Sequence, residues 1–316
     1  MYKVGVDLGG TNIVAGVINE KNEIIGRGKA KTNMPRPAKE IFADMVQCIR
    51  VAAEQAGIKE SEIESVGIGT PGSVDKSSGV ILYANNLDFY NVEAVKMINE
   101  QLPDVKVYIE NDANCAALGE ALAGCGKGKK SFVAVTLGTG VGGGIVLDGK
   151  LLTGCNDAGG EIGHMTIEFD GEPCNCGRIG CWERYASATA LVKQTKQAML
   201  ENEDSKMWEL CDGDINNAGG RTAFDAMRMG DAAGTKVVDN YIRYVAHGTV
   251  NIVNIFQPDL ICFGGGICNE GETLLVPLRG YIAKWRYSKK QEIQTEICRA
   301  TLGNDAGVIG AALVEY

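Results

Sequence analysis

The chain is poor in several residue types on which whole classes of function depend. Two of its 316 residues are histidine, His164 and His247, and only 6% are aromatic. His247 falls inside a long helical pattern and reads as a packed or surface residue, which leaves His164 as the imidazole available for chemistry. There is no long basic run, and the formal charge is −9. That balance argues against a nucleic-acid backbone as partner. No apolar run approaches the roughly 18 residues needed to span a membrane. No charged and apolar leader precedes the strand pattern that begins at Tyr2, so a reducing, cytoplasmic setting is expected. The 11 cysteines are accordingly not read as a disulfide framework.

Glycine is what the chain has in quantity, at 42 residues. With few aromatics, this points to an α/β protein with close backbone approaches of the kind phosphate-binding turns need. The length suffices for two lobes, each with its own core. Lys3–Leu8, Ile13–Ile18 and Glu23–Ala30 read as a strand meander. A helix over Ala38–Gln55, a strand at Ser65–Gly69, a helix near Val92–Gln101 and a strand at Val105–Glu110 then alternate. Asn111 or Asp112 opens the next helix, and Gly124–Lys130 reads as an exposed linker turn. The pattern restarts at Phe132–Leu137 and Gly143–Leu147. A long helical segment, Asp231–Phe256, then precedes a further apolar strand.

Between Glu161 and Glu183 the spacing of one imidazole and three thiols is the most specific signal in the chain. His164, Cys174, Cys176 and Cys181 have donor types and intervals that suit a tetrahedral Zn²⁺ site. The two glutamates flank this cluster, so a metal that orders the loop would also fix two carboxylates.

Three glycine turns follow apolar strands: Gly9-Gly10-Thr11-Asn12, Gly138-Thr139-Gly140 and Gly264-Gly265-Gly266. The first two share one scheme, an alternating strand ending in a polar residue, Leu, Gly and a Thr-containing turn, so the two halves read as duplicated. Singly, each is an ordinary hairpin turn. Together they are three sets of backbone N–H groups that can converge on a polyanion. Gly138-Thr-Gly-Val-Gly-Gly143 matches the dinucleotide fingerprint in letters, but a strand follows it where that fold needs a helix. No P-loop pattern is present.

These residues carry a resemblance. Val6-Asp7-Leu-Gly-Gly-Thr11, Leu137-Gly-Thr-Gly-Val-Gly-Gly143, Phe263-Gly-Gly-Gly266, Glu161-Ile-Gly-His164 and Cys174-Asn-Cys-Gly-Arg-Ile-Gly-Cys181-Trp-Glu183 together resemble the ROK family of sugar kinases, close to its bacterial ATP-dependent glucokinases, over essentially the whole chain. The resemblance implies a two-lobed actin/hexokinase-like α/β fold, duplicated from a ribonuclease-H-like unit, with an inter-lobe cleft. Expected boundaries are 1–117 for a small lobe, 118–300 for a large lobe carrying the zinc loop, and 301–316 for a C-terminal helix packing back on the small lobe.

The resemblance also implies roles. Asp112, which the residues alone suggest as a helix N-cap, would be the general base that takes the proton of the sugar hydroxyl. Asn111, Glu161, His164 and Glu183 would read sugar hydroxyls, with Gly72 and Asn85 as further contacts. Asp7 would hold Mg²⁺ through water. Gly9, Gly10, Thr11, Asn12, Thr139 and Gly140 would hold phosphates, and Gly265 and Gly266 the adenosine. His164, Cys174, Cys176 and Cys181 would bind a structural Zn²⁺. The expected activity is transfer of the γ-phosphate of ATP to the 6-hydroxyl of glucose. N-acetylmannosamine and fructose are alternative substrates within the family. A non-catalytic sugar-sensing regulator is the alternative of another class, but regulators in the family carry a DNA-binding head before the first phosphate motif, which here begins at once. Family habit implies a homodimer or higher homo-oligomer.

Overall fold

The computed structural model of the protein describes residues 1–315. The chain opens with β1 (Tyr2–Leu8), β2 (Asn12–Ile18) and β3 (Ile24–Lys31), an antiparallel meander in which Lys3 lies opposite Ile18 and Leu8 opposite Ile13. The helix α1 (Ala38–Gln55) buries Ile41, Phe42, Met45, Val46, Ile49, Ala52 and Ala53, three- and four-residue spacings that make one apolar stripe. That stripe covers β2 and β3. β4 (Ile63–Thr70) lies parallel to β1, with Asp7 level with Gly69.

A small antiparallel sheet of β5 (Ser73–Asp75), β6 (Val80–Ala84) and β7 (Phe89–Val92) follows, then α2 (Ala94–Asn99). β8 (Lys106–Asn111) is parallel to β4, with Glu110 level with Gly69, and runs directly into α3 (Asp112–Leu122). The main sheet has the order β3-β2-β1-β4-β8.

The second half repeats the plan with β9 (Ser131–Leu137), β10 (Val141–Leu147) and β11 (Lys150–Leu151). Its helices begin with α4 (Glu183–Ala186), α5 (Ala188–Glu201), α6 (Lys206–Glu209), α7 (Thr222–Arg228) and α8 (Ala232–Phe256). β12 (Leu260–Gly264), α9 (Glu272–Trp285), β13 (Glu296–Arg299) and α10 (Ala306–Leu313) complete the chain. The order of the second main sheet is β11-β10-β9-β12-β13, the order of the first in corresponding strands. The duplication suggested by the paired strand-and-turn motifs is thus a duplication of sheet topology.

The chain forms two compact units. The first comprises Met1–Ala134, Gly144–Gly160 and the chain from Ala300 on, and the second comprises Val135–Gly143 and Glu161–Arg299. The first cut differs from the one expected at residue 117, because α3 continues to Leu122 and packs its length on α10, whereas the return to the first unit at Ala300 lies next to the expected 301. A cut at 117 would break that helix. Gly124–Lys130 is therefore a turn within the first unit, and not a linker. The Glu120 carboxylate holds it by accepting from Cys125 N at 3.1 Å.

In the first unit α10 lies on β1, β4 and α3. The approach is close enough that a Cβ on Gly5 would stand 1.8 Å from the Val308 carbonyl oxygen, and one on Gly67 1.8 Å from that of Ala311. The second unit is built around α8, whose Val237, Tyr241, Ile242, Val245, Ile252 and Val253 are buried. His247 stands on the exposed side of α8 and stacks on Trp285 with ring centroids 4.5 Å apart, a packed surface residue as expected. The stretch 196–230 supplies the end of α5, α6 and α7, with α7 packed on α8.

Candidate active site

In the first unit the parallel strands β1, β4 and β8 end together, and chemistry gathers at those ends. This is where open α/β sheets hold ligands. Asp7 sits one residue before the end of β1. Burial, and then the charge of Asp112, push its carboxyl up to about 6. The turn after it is tight: Gly9 N donates to the Asn12 carbonyl at 2.9 Å, and Thr32 Oγ1 donates to the Gly9 carbonyl at 2.6 Å. A Cβ on Gly10 would lie 3.2 Å from the Asn86 carbonyl oxygen, so the turn runs against the short segment that begins at Asn85. A cavity of about 530 Å³ is lined by Asp7, Gly9, Gly10, Thr11 and Asn12 together with Arg27, Lys29 and Asp305.

The three charged residues at the end of that lining were missed from sequence. Their signal was available in part, since Arg27 and Lys29 alternate along β3 and must share a face. Arg27 makes a two-pronged pair with Asp305, at 2.8 and 2.7 Å. The pair raises the Arg27 pKa and lowers that of Asp305.

At the β8–α3 junction Asn111 is the helix cap. Its side-chain oxygen accepts from Ala113 N at 2.9 Å and Asn114 N at 3.2 Å, while its Nδ2 donates to the Gly72 carbonyl at 3.1 Å. The cap reading of Asp112 is thereby corrected. Asp112 is the first residue of α3, with an exposed side chain whose Oδ1 accepts from Ala113 N at 2.8 Å. Asn is as good a cap as Asp, so the register of the strand decides between them.

Beneath this junction Glu110 is buried. Its Oε1 accepts from Asn111 N at 2.9 Å and Asn114 Nδ2 at 3.0 Å, and its Oε2 pairs with Lys76 Nζ. Lys76 also stands 3.7 Å from Asp157. None of Glu110, Lys76 and Asp157 was singled out from sequence. Gly72 takes φ +88°, and a Cβ there would lie 1.9 Å from the Tyr83 carbonyl oxygen, so only glycine fits the turn that presents its carbonyl to Asn111. Asn85 is exposed and opens a short 3₁₀ turn.

In the second unit the two remaining glycine turns are neighbours. Gly265 takes φ +93°, and a Cβ on it would meet the Leu137 carbonyl oxygen at 2.4 Å, so the Gly264–Gly266 turn lies against the end of β9. There Gly138 N donates to the Gly140 carbonyl at 3.0 Å, and the Thr139 carbonyl accepts from Thr189 Oγ1 at 2.8 Å. Glu183, the first residue of α4, reaches back to this turn and accepts from Val141 N at 3.1 Å. Its other oxygen stands 3.9 Å from Cys174 Sγ. Glu183 thus links the glycine turn to the thiol cluster.

His164, Cys174, Cys176 and Cys181 place one ligand atom each within 4.8 Å of all the others. His164 Nδ1 lies 3.7 Å from Cys174 Sγ, and Cys176 Sγ 3.6 Å from Cys181 Sγ. A tetrahedral metal with sulfur at about 2.3 Å requires ligand separations of about 3.8 Å, whereas a disulfide would need about 2 Å. The four donors therefore fit a tetrahedral cation. The loop is preformed by its own backbone: Cys174 N donates to the Arg178 carbonyl at 2.8 Å, and Gly177 N to that of Cys174 at 3.0 Å. Cys181 leads into the fully buried Trp182, whose Nε1 donates to the Tyr244 carbonyl at 2.8 Å. His164 ends a short 3₁₀ turn that begins after the exposed Glu161.

Comparisons with known proteins agree over the full length. The ROK family model matches residues 3–315. A glucokinase of Thermotoga maritima is 34% identical over 313 residues, covering 98% of this chain and 96% of that protein. A ROK family glucokinase from Streptomyces griseus, solved in complex with glucose and AMPPNP, aligns with a TM-score of 0.78 at 34% identity over 99% of this chain and 98% of the other. The xylose repressor of Bacillus subtilis is 29% identical over 318 residues, 99% of this chain but 76% of the repressor. The fold is the actin/hexokinase-like α/β fold.

Proposed function

The chain belongs to the ROK family, and from that premise we propose that it is an ATP-dependent sugar kinase that transfers the γ-phosphate to the 6-hydroxyl of glucose. Full-length similarity to glucokinases carries the choice of sugar. What supports the choice of base is the junction after β8, where Asn111 caps the helix and Asp112 presents an exposed carboxylate beside Asp7.

In this reading Asp112 accepts the proton of the attacking hydroxyl, an assistance typically worth about 10²–10⁴-fold. Asn111 is held at both ends, by the Gly72 carbonyl and by the helix it caps, and offers an oriented polar group to the sugar. Glu161, His164 and Glu183 take other hydroxyls, with Gly72 and Asn85 shaping the near side. Gly9, Gly10, Thr11, Asn12, Thr139 and Gly140 supply N–H and hydroxyl donors to the phosphates, and Gly265 and Gly266 form the turn that would take the adenosine, with open space at Gly266. Asp7 is the residue that would hold Mg²⁺ through water. Mg²⁺ bound with ATP supplies neutralisation of the charge on the phosphates.

The thiol cluster is assigned to a structural Zn²⁺, since its four protein donors leave no open position for substrate. His164 would bind metal through one ring nitrogen and a sugar hydroxyl through the other. No helix among the described residues is long and apolar enough to cross a membrane. The enzyme is proposed to act in the cytoplasm, where ATP is available, as a homodimer or higher homo-oligomer.

The similarity to a xylose repressor keeps a sugar-sensing role in view as the second reading. ADP release measured with glucose, N-acetylmannosamine, fructose and mannose, for wild type and Asp112→Asn, separates the two. Turnover of glucose that is lost in Asp112→Asn is the expected result. Turnover confined to another sugar overturns the substrate, and sugar binding without turnover of any sugar overturns the kinase.

A further inference from the structure

The second unit holds a cavity of about 630 Å³ walled by α4, α5 and α8, and none of the residues given a role above lines it. Its volume falls within the range of small-molecule sites, about 300–1,000 Å³. Arg184 and Lys193 line it from α4 and α5, and Lys236 and Asn240 from α8. Lys193 is matched by Glu172 at 2.7 Å. Arg184 also faces Glu172, whose carboxyl its charge helps to lower, but its Nε is buried with no hydrogen-bond partner among the described residues, and Glu201 is a second carboxylate in the lining. A guanidinium and two lysines lining one concave site outnumber its two carboxylates, a balance that suits a phosphate or carboxylate. Tyr185 and Tyr244, with ring centroids 4.9 Å apart and planes at 35°, form an aromatic wall of the same cavity. Aromatic faces of this kind take the C–H surface of a sugar or polyol.

We propose that this cavity binds a phosphorylated sugar or polyol of hexose size, with its phosphate on Arg184 and Lys236 and its carbon skeleton against Tyr185 and Tyr244. The site is built into the same short helix as Glu183, which directly precedes Arg184. Tyr185 Oη accepts from Glu172 N at 2.6 Å and so ties the cavity wall to the loop that carries the thiol cluster. A ligand held there would stiffen α4 and that loop, and would register in the affinity for glucose. The inference rests on the kinase reading for the choice of probe, because a hexose phosphate is the product of that reaction.

The test is calorimetric titration of glucose 6-phosphate into the full chain, with zinc retained and with saturating glucose and AMPPNP occupying the catalytic site. Kinase turnover of the same preparation is measured beside it, so failure of the kinase reading shows separately. Binding that persists under these conditions and weakens at least tenfold in both Arg184→Met and Lys236→Met is the expected result. Lys236 lies on α8, away from Glu183, and keeps the test valid should Arg184→Met fold poorly. Inorganic phosphate, which leaves the tyrosine wall unused, is expected to bind at least tenfold more weakly. Equal binding of phosphate overturns the hexose-sized ligand. No heat with glucose 6-phosphate, or heat indifferent to both substitutions, overturns the site.

Discussion

Lys76 Nζ meets the carboxylate of Glu110 directly beneath the β8–α3 junction, in a pair whose side chains are 12% and 1% exposed. Glu110 in turn fixes Asn111 N and Asn114 Nδ2, so this pair sets the start of α3 and hence the position of Asp112. Removing one partner of a buried pair strands the other charge and costs about 3–5 kcal/mol. Lys76→Met should lose stability on that scale in urea denaturation, and should lose kcat with it. The double variant Lys76→Met/Glu110→Gln, which removes both charges of the buried pair and leaves only the partly exposed Asp157 without its cation, should recover most of the stability.

Asp7 predicts a pH dependence. Its carboxyl is pushed up from 3.8 to about 6, so between these values the folded chain holds the proton more tightly than the unfolded chain. Stability is therefore fully present below the unfolded value and declines as the pH rises toward 6, by up to about 3 kcal/mol. In nucleotide-free protein, Asp7→Asn should be more stable than wild type at neutral pH. The difference should close at about pH 4. Urea midpoints for both proteins across this range would check it, and a gap that widens toward acid would contradict it.

Loss of a cluster ligand separates metal from chemistry. Cys181→Ser should lower zinc to below one equivalent per chain by elemental analysis and should raise KM for glucose by about tenfold or more, since disturbed metal shells typically cost about 10–100-fold. KM for ATP should change little. Equal effects on both substrates would mean that the cluster supports the whole unit and has no particular bearing on sugar.

Gly140 and Glu183 offer a finer probe. A Cβ on Gly140 would stand 2.1 Å from Glu183 Oε2, the end of a flexible side chain, so Gly140→Ala should fold normally while displacing that carboxylate. KM for glucose is expected to rise about tenfold, a loss of about 1.4 kcal/mol of binding. A change confined to KM for ATP would remove Glu183 from the sugar.

Much of this architecture could be read locally. The strand-end glycine turns, the repeated scheme around Thr11 and Thr139, and the spacing from His164 to Cys181 are all contained within short windows, where periodicity and ligand intervals are informative. Contacts between distant residues were not legible. Lys76 and Asp157 are 81 residues apart, and Glu183 meets Val141 across 42. Nothing near any of these residues announces its partner. The sheet of β5, β6 and β7 escaped because strands of three to five residues carry too little alternation to stand out. Asn111 and Asp112 could not be separated because both are good caps, and only the register of β8 against β4 assigns them.

The placement of α10 bears on how the protein is made. Its backbone rests on Gly5 of β1 and Gly67 of β4, strands synthesised near the beginning of the chain, while the helix emerges near the end. Until Ala306–Leu313 leaves the ribosome, α3 alone covers that face of the first sheet, over β4 and β8, and Gly5 and Gly67 have no helix backbone to pack against. The first unit therefore finishes folding last, after the second unit has been synthesised, and any chain interrupted before Ala306 leaves that apolar sheet open to chaperones and proteases.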